Sequence, residues 1–200
     1  MNQESASAIE LQKPGAGLPL PQRVMLKFWL GPFVSKRATW MDNRKMYEAV
    51  TQKIIDRVER VAAEKRDKKI LVPPQRGLED SSRFWSINET LEHLLMVIGG
   101  TEYIILQLSS GSPPDLKVDI AKLKPKGSEE DLFSTFKKRA PVVMRDLDEN
   151  LKQKGMNRDS NSKHHHPWFG SITAKQWYWL LAMHQAIHAN QVKKITESLG

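Results

Sequence analysis

The apolar positions of this chain recur three and four residues apart in four long segments, which is the spacing of amphipathic helices. The first pattern starts near Thr39, with Asp42 at the capping-box position, and runs to about Lys65. Its predicted inner face comprises Met46, Val50, Ile54, Val58, Val61 and Ala62. No segment of any length alternates apolar and polar residues with period two, so we expect no β-sheet.

A second helix is predicted from the capping box Ser86-Ile-Asn-Glu89 to about Ser109. Two adjacent glycines, Gly99 and Gly100, lie within it, and each costs about 1 kcal/mol relative to alanine. Such a pair indicates either the close approach of a neighbouring helix or ligand, or a local kink. The predicted apolar stripe comprises Ile87, Leu91, Leu94, Leu95, Ile98, Ile105 and Leu108.

A long proline-bearing connection from Gly111 to Gly127 separates this helix from the third. Loops of that length inside a domain usually cross the end of a bundle or contribute to a site. The third helix is predicted to start with Ser128 and Asp131 as caps and to end near Gly155, with a bend at Pro141.

The fourth helix follows Thr173, which forms a capping box with Gln176. Its inward stripe is predicted to contain Trp177, Leu180, Leu181, His184, Ile187, His188, Gln191, Val192 and Ile195. Four amphipathic helices with one long crossover predict an all-α, four-helix bundle.

Length and composition favour one domain: 200 residues with 40% hydrophobic content suit a compact core over residues 38–200, preceded by an N-terminal arm over residues 1–37. The apolar stretch Val24–Val34 is too short to span a bilayer and is broken by a lysine, a glycine and a proline. We favour an arm that covers part of the core, over a membrane or dimer contact.

Charge and cysteine content narrow the function classes. The net charge of +8 is spread along the chain, without a basic stripe and without the motif of a known nucleic-acid-binding domain. Nucleic-acid binding is therefore only weakly favoured. The chain contains no cysteine, which excludes disulfides, thiolate metal sites and a cysteine nucleophile. That composition, and the absence of a signal-peptide pattern, fit a cytoplasmic protein.

Three histidines carry the candidate chemistry. His184 and His188 lie one turn apart on the fourth helix, and His93 lies on the inner face of the second. Three buried imidazoles close together would be costly to desolvate without a ligand. A divalent metal bound by His93, His184 and His188 solves that problem. Zinc or nickel suits all-imidazole ligation best, and iron, cobalt and manganese are the alternatives. Three nitrogens with open positions are typical of a catalytic metal site.

Other polar residues have two interpretations each. Glu89 either orients the imidazole of His93, or acts as a general base, or only caps its helix with Ser86, which we favour. Gln191 either holds the neighbouring His188 by a hydrogen bond or is a plain amide at the core edge. The run His164–His166 either forms an auxiliary metal site, or places His166 at the rim of a pocket, or is only a solvated loop. We favour the loop for His164 and His165, and for His166 the interpretations are balanced. The crossover lysines either steer an anionic substrate or are only solvated; they are Lys122, Lys124 and Lys126.

Two segments resemble the DinB-like (DinB/YfiT) family. Phe84-Trp-Ser-Ile-Asn-Glu-Thr-Leu-Glu-His93 is similar to the start of the family's second helix, with its W-S-x-x-E-x-L-x-H pattern. His166-Pro-Trp-Phe-Gly-Ser-Ile-Thr-Ala-Lys-Gln-Trp177, followed by His184, His188 and Gln191, resembles the closing segment. The resemblance covers about Trp40 to Ile195 and leaves the N-terminal arm unexplained.

The resemblance implies a metal-binding four-helix bundle in up-down-down-up order, with the long crossover between helices 2 and 3. It implies His93, His184 and His188 as the metal triad, and homodimers are common among such proteins. Its characterised members include S-transferases and isomerases that use mycothiol, bacillithiol or glutathione. We therefore expect a metal-dependent enzyme with a small-molecule substrate. The alternative is a non-catalytic bundle with a structural metal or a binding pocket.

Overall fold

The computed structural model describes residues 10–25, 37–127 and 131–200. The described residues form six α-helices: α1 Leu20–Met25, α2 Trp40–Glu59, α3 Ile87–Ser109, α4 Leu132–Arg139, α5 Val143–Gln153 and α6 Ala174–Leu199. Four short strands pair as two antiparallel sheets: β1 Ile70–Leu71 with β2 Phe84–Trp85, and β3 Lys163–His166 with β4 Gly170–Thr173. Single 3-10 turns occupy Ala63–Lys65, Asp80–Ser82 and Ile120–Leu123.

The core lies between the long helices. α6 packs along both α2 and α3, and α3 also contacts α4 and α5. Apolar side chains from α2 to α6 form one buried cluster. The fold is mostly helical, as predicted. By length and composition alone α3 could also cross a membrane, but half of that stretch is buried in the fold and core helices meet the same criterion.

Side-chain caps set the starts of three helices at the predicted residues. The Thr39 hydroxyl accepts from the backbone N–H of Asp42 at the start of α2. Ser86 begins α3 with a reciprocal capping box, and Thr173 begins α6 in the same way. Each cap satisfies backbone N–H groups that have no partner inside the helix.

The end and the inner face of α2 differ from the prediction. The helix ends at Glu59 rather than near Lys65, and a separate 3-10 turn follows. Met46, predicted to face inward, is exposed, whereas Tyr47 and Thr51 are buried. Packing against α6 decides the orientation, because Gln185 donates from its amide to the Thr51 hydroxyl at 3.0 Å.

The predicted third helix is two helices. Its N-cap is Asp131, whose carboxylate accepts from the backbone N–H of Ser134; the predicted cap Ser128 lies outside the described residues. The helix is interrupted between α4, which ends at Arg139, and α5, which begins at Val143. Pro141 lies in this interruption. A proline lacks the backbone N–H of a helical residue and its ring clashes with the preceding turn, so the bend becomes an interruption.

The expectation that the chain forms no sheet was wrong. Both hairpins have strands of two to four residues, too short to show an alternating pattern in the sequence. The expected loop at His164–His165 is part of β3, in which His164 is paired with Ile172 and buried while His165 is exposed. His166 pairs with Gly170 and is also buried.

No neighbouring helix of the described structure approaches Gly99 or Gly100 closely. Both residues are exposed within a continuous α3, and a Cβ built on either would meet no atom within 4 Å in the described structure. The described part of the arm lies on the domain: Leu18 is buried in the core. Most of the apolar stretch Val24–Val34 lies outside the described residues.

Candidate metal centre

The three predicted ligands lie together between α3 and α6. Candidate nitrogens of His93, His184 and His188 are all within 4.8 Å of one another, and the group could hold a metal ion. His93 and His188 are buried, and His184 is partly exposed. All three imidazoles line one cavity, so the group faces a space that a small molecule can enter.

Hydrogen bonds orient two of these imidazoles. His93 Nδ1 donates to the carbonyl oxygen of Leu123 at 2.6 Å, and His188 Nδ1 donates to the Gln191 side-chain oxygen at 2.7 Å. The Gln191 amide is itself oriented, because its nitrogen donates to the Ser82 carbonyl at 2.7 Å. Both acceptors place the ring proton on Nδ1, which leaves Nε2 with a free lone pair, as a metal ligand requires.

His184 completes the group at a distance that fits tetrahedral ligation. Its Nε2 lies 3.1 Å from His93 Nε2. Two nitrogens bound to one tetrahedral zinc at 2.0–2.1 Å lie about 3.3 Å apart, so this pair is close to the geometry of a loaded site. The Nδ1 of His184 is buried and has no hydrogen-bond partner within the described chain.

Burial keeps these imidazoles neutral. Desolvation lowers the pKa of His93 to about 4, although the hydrogen bond to Leu123 opposes that shift. Desolvation and the neighbouring imidazoles lower the pKa of His184, and desolvation likewise lowers the pKa of His188. Neutral imidazole is the form that binds metals, so the site is prepared for a cation at neutral pH.

Trp85 supports the group from the short β2 strand. Its ring stacks parallel to His188 with centroids 6.1 Å apart and meets the edge of His93 at 5.1 Å. The Lys124 ammonium lies 5.4 Å from the centre of the Trp85 ring. The β1–β2 hairpin thus places an aromatic wall behind two of the three imidazoles.

A buried ion pair holds the crossover against this wall. Lys124 forms a salt bridge with Glu79 and also donates to the hydroxyls of Ser81 and Ser82. The Glu79 carboxylate accepts from the backbone N–H of Gly17 at 2.9 Å. Burial alone would raise the pKa of Glu79, but the bonds from Lys124 and Gly17 lower it overall. This ion pair therefore joins the arm, the 3-10 turn Asp80–Ser82 and the crossover.

The cavity beside the histidines has a volume of about 650 Å³, which is within the usual range for small-molecule sites. Its walls come from α3, α6, the crossover, the segment before β2 and the hairpin of β3 and β4, and α1 also contributes to them. His166 also lines the cavity, and its Nδ1 accepts from the backbone N–H of Trp168 at 3.1 Å. The prediction that His166 could reach a pocket rim agrees with this position.

The remaining sequence candidates have other partners. The Glu89 carboxylate accepts from the Ser86 backbone and pairs with Lys69 at 2.7 Å, which is the capping role favoured from sequence. Lys122 and Lys124 both line the cavity. The charge of Lys124 is neutralised by Glu79, so that residue is not free to steer an anion, whereas Lys122 is exposed.

Sequence reasoning did not identify the Leu123 carbonyl, the aromatic wall of Trp85 or the partner of Lys124. Trp85 lies in the motif that ends at His93, but residue spacing alone gives its side chain no role beside the histidines. A backbone carbonyl has no sequence signal at all, because any residue provides one. Only the position of the crossover on α3 reveals it.

No protein-family model, curated protein or solved structure matches this chain.

Proposed function

We propose that this protein is a metal-dependent enzyme that binds one divalent ion through the Nε2 atoms of His93, His184 and His188. The observation that carries the proposal is the orientation of His93 and His188, whose Nδ1 atoms donate to fixed acceptors, so that each ring keeps its Nε2 lone pair for a metal. The Nε2 of His93 lies 3.1 Å from that of His184. Three nitrogen ligands leave coordination positions for a substrate. Zinc or nickel suits this all-imidazole donor set best.

A divalent ion held here would supply Lewis acidity, lowering the pKa of a water or thiol that coordinates to it. The chain provides the surroundings for that chemistry. Leu123 and Gln191 orient two imidazoles, burial keeps all three neutral, and the apolar walls exclude bulk water from the reacting groups.

The family and the reaction class are part of the same proposal. We infer a DinB-like protein in which α2, α3, the α4–α5 pair and α6 form an up-down-down-up bundle, with residues 111–127 as the crossover. Two matching motifs and the convergence of the three histidines support it. Thiol-dependent S-transfer is the reaction that the resemblance favours. The thiol sulfur would bond to an electrophilic carbon, the leaving group would depart with the bonding pair, and the thiol proton would pass to solvent.

A small thiol would have to be the source of sulfur, because the chain contains no cysteine. A cytoplasmic location, where such thiols are reduced, and a homodimer complete the proposal. The competing function is a non-catalytic bundle with a structural metal, and the stability of a ligand variant separates the two. Loss of a structural ion should lower the melting temperature markedly, whereas loss of an ion at an open site should mostly spare the fold.

Metal analysis of the purified protein tests the proposal directly. We expect about one equivalent of zinc or nickel per chain, lost in His184→Ala. The control is His165→Ala, because His165 is exposed on the same hairpin that carries His166 and should leave the metal content unchanged. A metal-free wild-type protein of unchanged stability would contradict the proposal.

Two buried amides of α6 provide a sharper comparison. Gln191 bonds to His188, whereas Gln185 bonds to Thr51 on the far side of the helix. Gln191→Leu and Gln185→Leu should both reduce stability, because each removes a buried hydrogen bond. Only Gln191→Leu should weaken metal binding, by about 10- to 100-fold. Equal metal affinities in the two variants would remove Gln191 from the site.

Activity is tested by a screen of small thiols against electrophilic acceptors with the metal-loaded protein. His184→Ala should lose any turnover, and the metal-loaded wild-type protein should show it with at least one thiol. Turnover that persists equally in His184→Ala would mean that the metal group is not the reaction centre.

A further inference from the structure

The cavity is long as well as apolar. On α3 the residues that follow His93 on the same face continue to line the cavity as far as Ile104. The eleven residue steps from His93 to Ile104 correspond to about 16 Å along the helix. The side chains concerned are Met96, Val97, Gly100, Thr101 and Ile104. On the opposite side, α6 contributes Trp177, Leu180 and Leu181. The space therefore extends well beyond the three imidazoles.

The charged groups that line the cavity lie at its exposed rim and in one ion pair, whereas the three histidines are neutral. The rim carries three cations, Arg76, Lys117 and Lys122, and one carboxylate, Asp119. Within the cavity Lys124 and Glu79 neutralise each other. A ligand that enters would meet a net positive rim, a long apolar wall and a group of three neutral metal-binding nitrogens.

We propose that the cavity binds an amphiphile with a compact anionic head and a flexible apolar tail. The head lies at the three histidines and the tail extends along α3 towards Ile104. The placement of the head rests on the proposed metal function, whereas the tail rests on the cavity walls alone. A strongly polar substrate of the same length would leave its polar groups without partners along this wall, which is unfavourable.

Two adjacent glycines provide matched variants. Gly100 lies seven residues after His93, on the same face of α3, and lines the cavity; Gly99 does not line it. Both glycines lie in the middle of α3 and are exposed, and a Cβ built on either meets no described atom within 4 Å. Leucine should therefore be tolerated at both positions and should favour the helix. Only Gly100→Leu places a side chain in the path of the tail.

The experiment measures binding of straight-chain carboxylates, from butanoate to dodecanoate, to the zinc-loaded protein by calorimetry. We expect the wild-type affinity to rise about fourfold per added methylene, the factor for burying one CH₂, until the cavity is filled. In Gly100→Leu the rise should stop at a shorter chain, with zinc and butanoate binding unchanged. Gly99→Leu should behave like the wild-type protein.

Wild-type affinity that does not change with chain length would overturn the inference, as would identical length dependence in Gly100→Leu and Gly99→Leu. The result is separable from the metal proposal. If the protein binds no zinc but keeps the length dependence, the metal function fails and the tail site stands. If zinc binds but the length dependence is absent, the tail site fails and the metal function stands. His184→Ala should lower all affinities and keep the same increase per methylene.

Discussion

At the scale of single residues, the site depends on imidazoles that stay neutral. His93 and His188 satisfy one ring nitrogen each with a fixed acceptor and leave the other nitrogen free. This arrangement cannot be read from residue spacing, because the acceptor of His93 is a backbone carbonyl thirty residues away in the sequence. The histidines themselves were identified from sequence, since helical spacing placed all three on inner faces.

The pH dependence of stability follows from the same burial. Burial lowers the pKa of His93 to about 4 and that of His166 to about 3, from an ordinary value of 6.5. Below pH 6.5 the unfolded chain takes up protons that the folded chain does not, so stability is lost as pH falls towards those values. For the metal-free protein we expect each such histidine to remove about 1.4 kcal/mol from the free energy of unfolding per pH unit.

Urea denaturation of the metal-free protein between about pH 8 and about pH 5 measures this slope. His166→Phe removes one of the neutral imidazoles and should reduce the slope by one proton's contribution. Constant stability across the range, or stability that increases on acidification, would contradict the burial of these rings.

At the scale of elements, capping signals located the helix starts well, because caps are local and depend on residues three apart. Ser86 and Thr173 begin their helices as predicted. Helix ends, the orientation of α2 and the short hairpins were predicted poorly, because each depends on contacts with distant residues. Tyr47 is buried and Met46 is exposed since α2 faces α6 in that orientation.

Gly77, in the connection between β1 and β2, packs closely against Ile187 of α6. Gly77 has a φ of +80°, and a Cβ there would lie 2.7 Å from Ile187 Cδ1. Gly111 has a similar φ of +88° but open space around it. Gly111→Ala should cost about 1 kcal/mol from backbone strain alone, and Gly77→Ala about 1–2 kcal/mol, because the end of the Ile187 side chain must also move.

Denaturant unfolding of the two alanine variants measures both costs. The difference between them reports the contact with Ile187, since the backbone conformations are alike. Equal losses would show that Ile187 moves aside without cost.

At the scale of the whole molecule, the buried pair of Glu79 and Lys124 connects segments far apart in the sequence. It joins the arm at Gly17 to the crossover, and the crossover carbonyl at Leu123 orients His93. The described residues of the arm and the crossover thus both line the cavity.

Glu79→Gln should leave the partly buried Lys124 ammonium without a counter-charge, with only the Ser81 and Ser82 hydroxyls as strong acceptors. We expect a cost of about 3 kcal/mol in unfolding free energy. It should also weaken metal binding, because the crossover no longer holds the Leu123 carbonyl against His93. The control is Glu59→Gln, which removes an exposed pair with Lys137 and should cost less than about 1 kcal/mol. Thermal or urea unfolding and metal titration of both variants give the comparison, and similar losses in the two would contradict the role of the buried pair.

The sequence by itself determined the helical content, three of the helix starts and the three histidines, because periodicity and capping are properties of neighbouring residues. Only the tertiary structure decided how α2 faces the core, where the third helix breaks into two, and which groups hold the imidazoles. It also decided that the histidines line a long apolar cavity rather than a closed core. Those features arise from contacts between residues that are distant in the chain, and such contacts are set by the packing of the whole molecule.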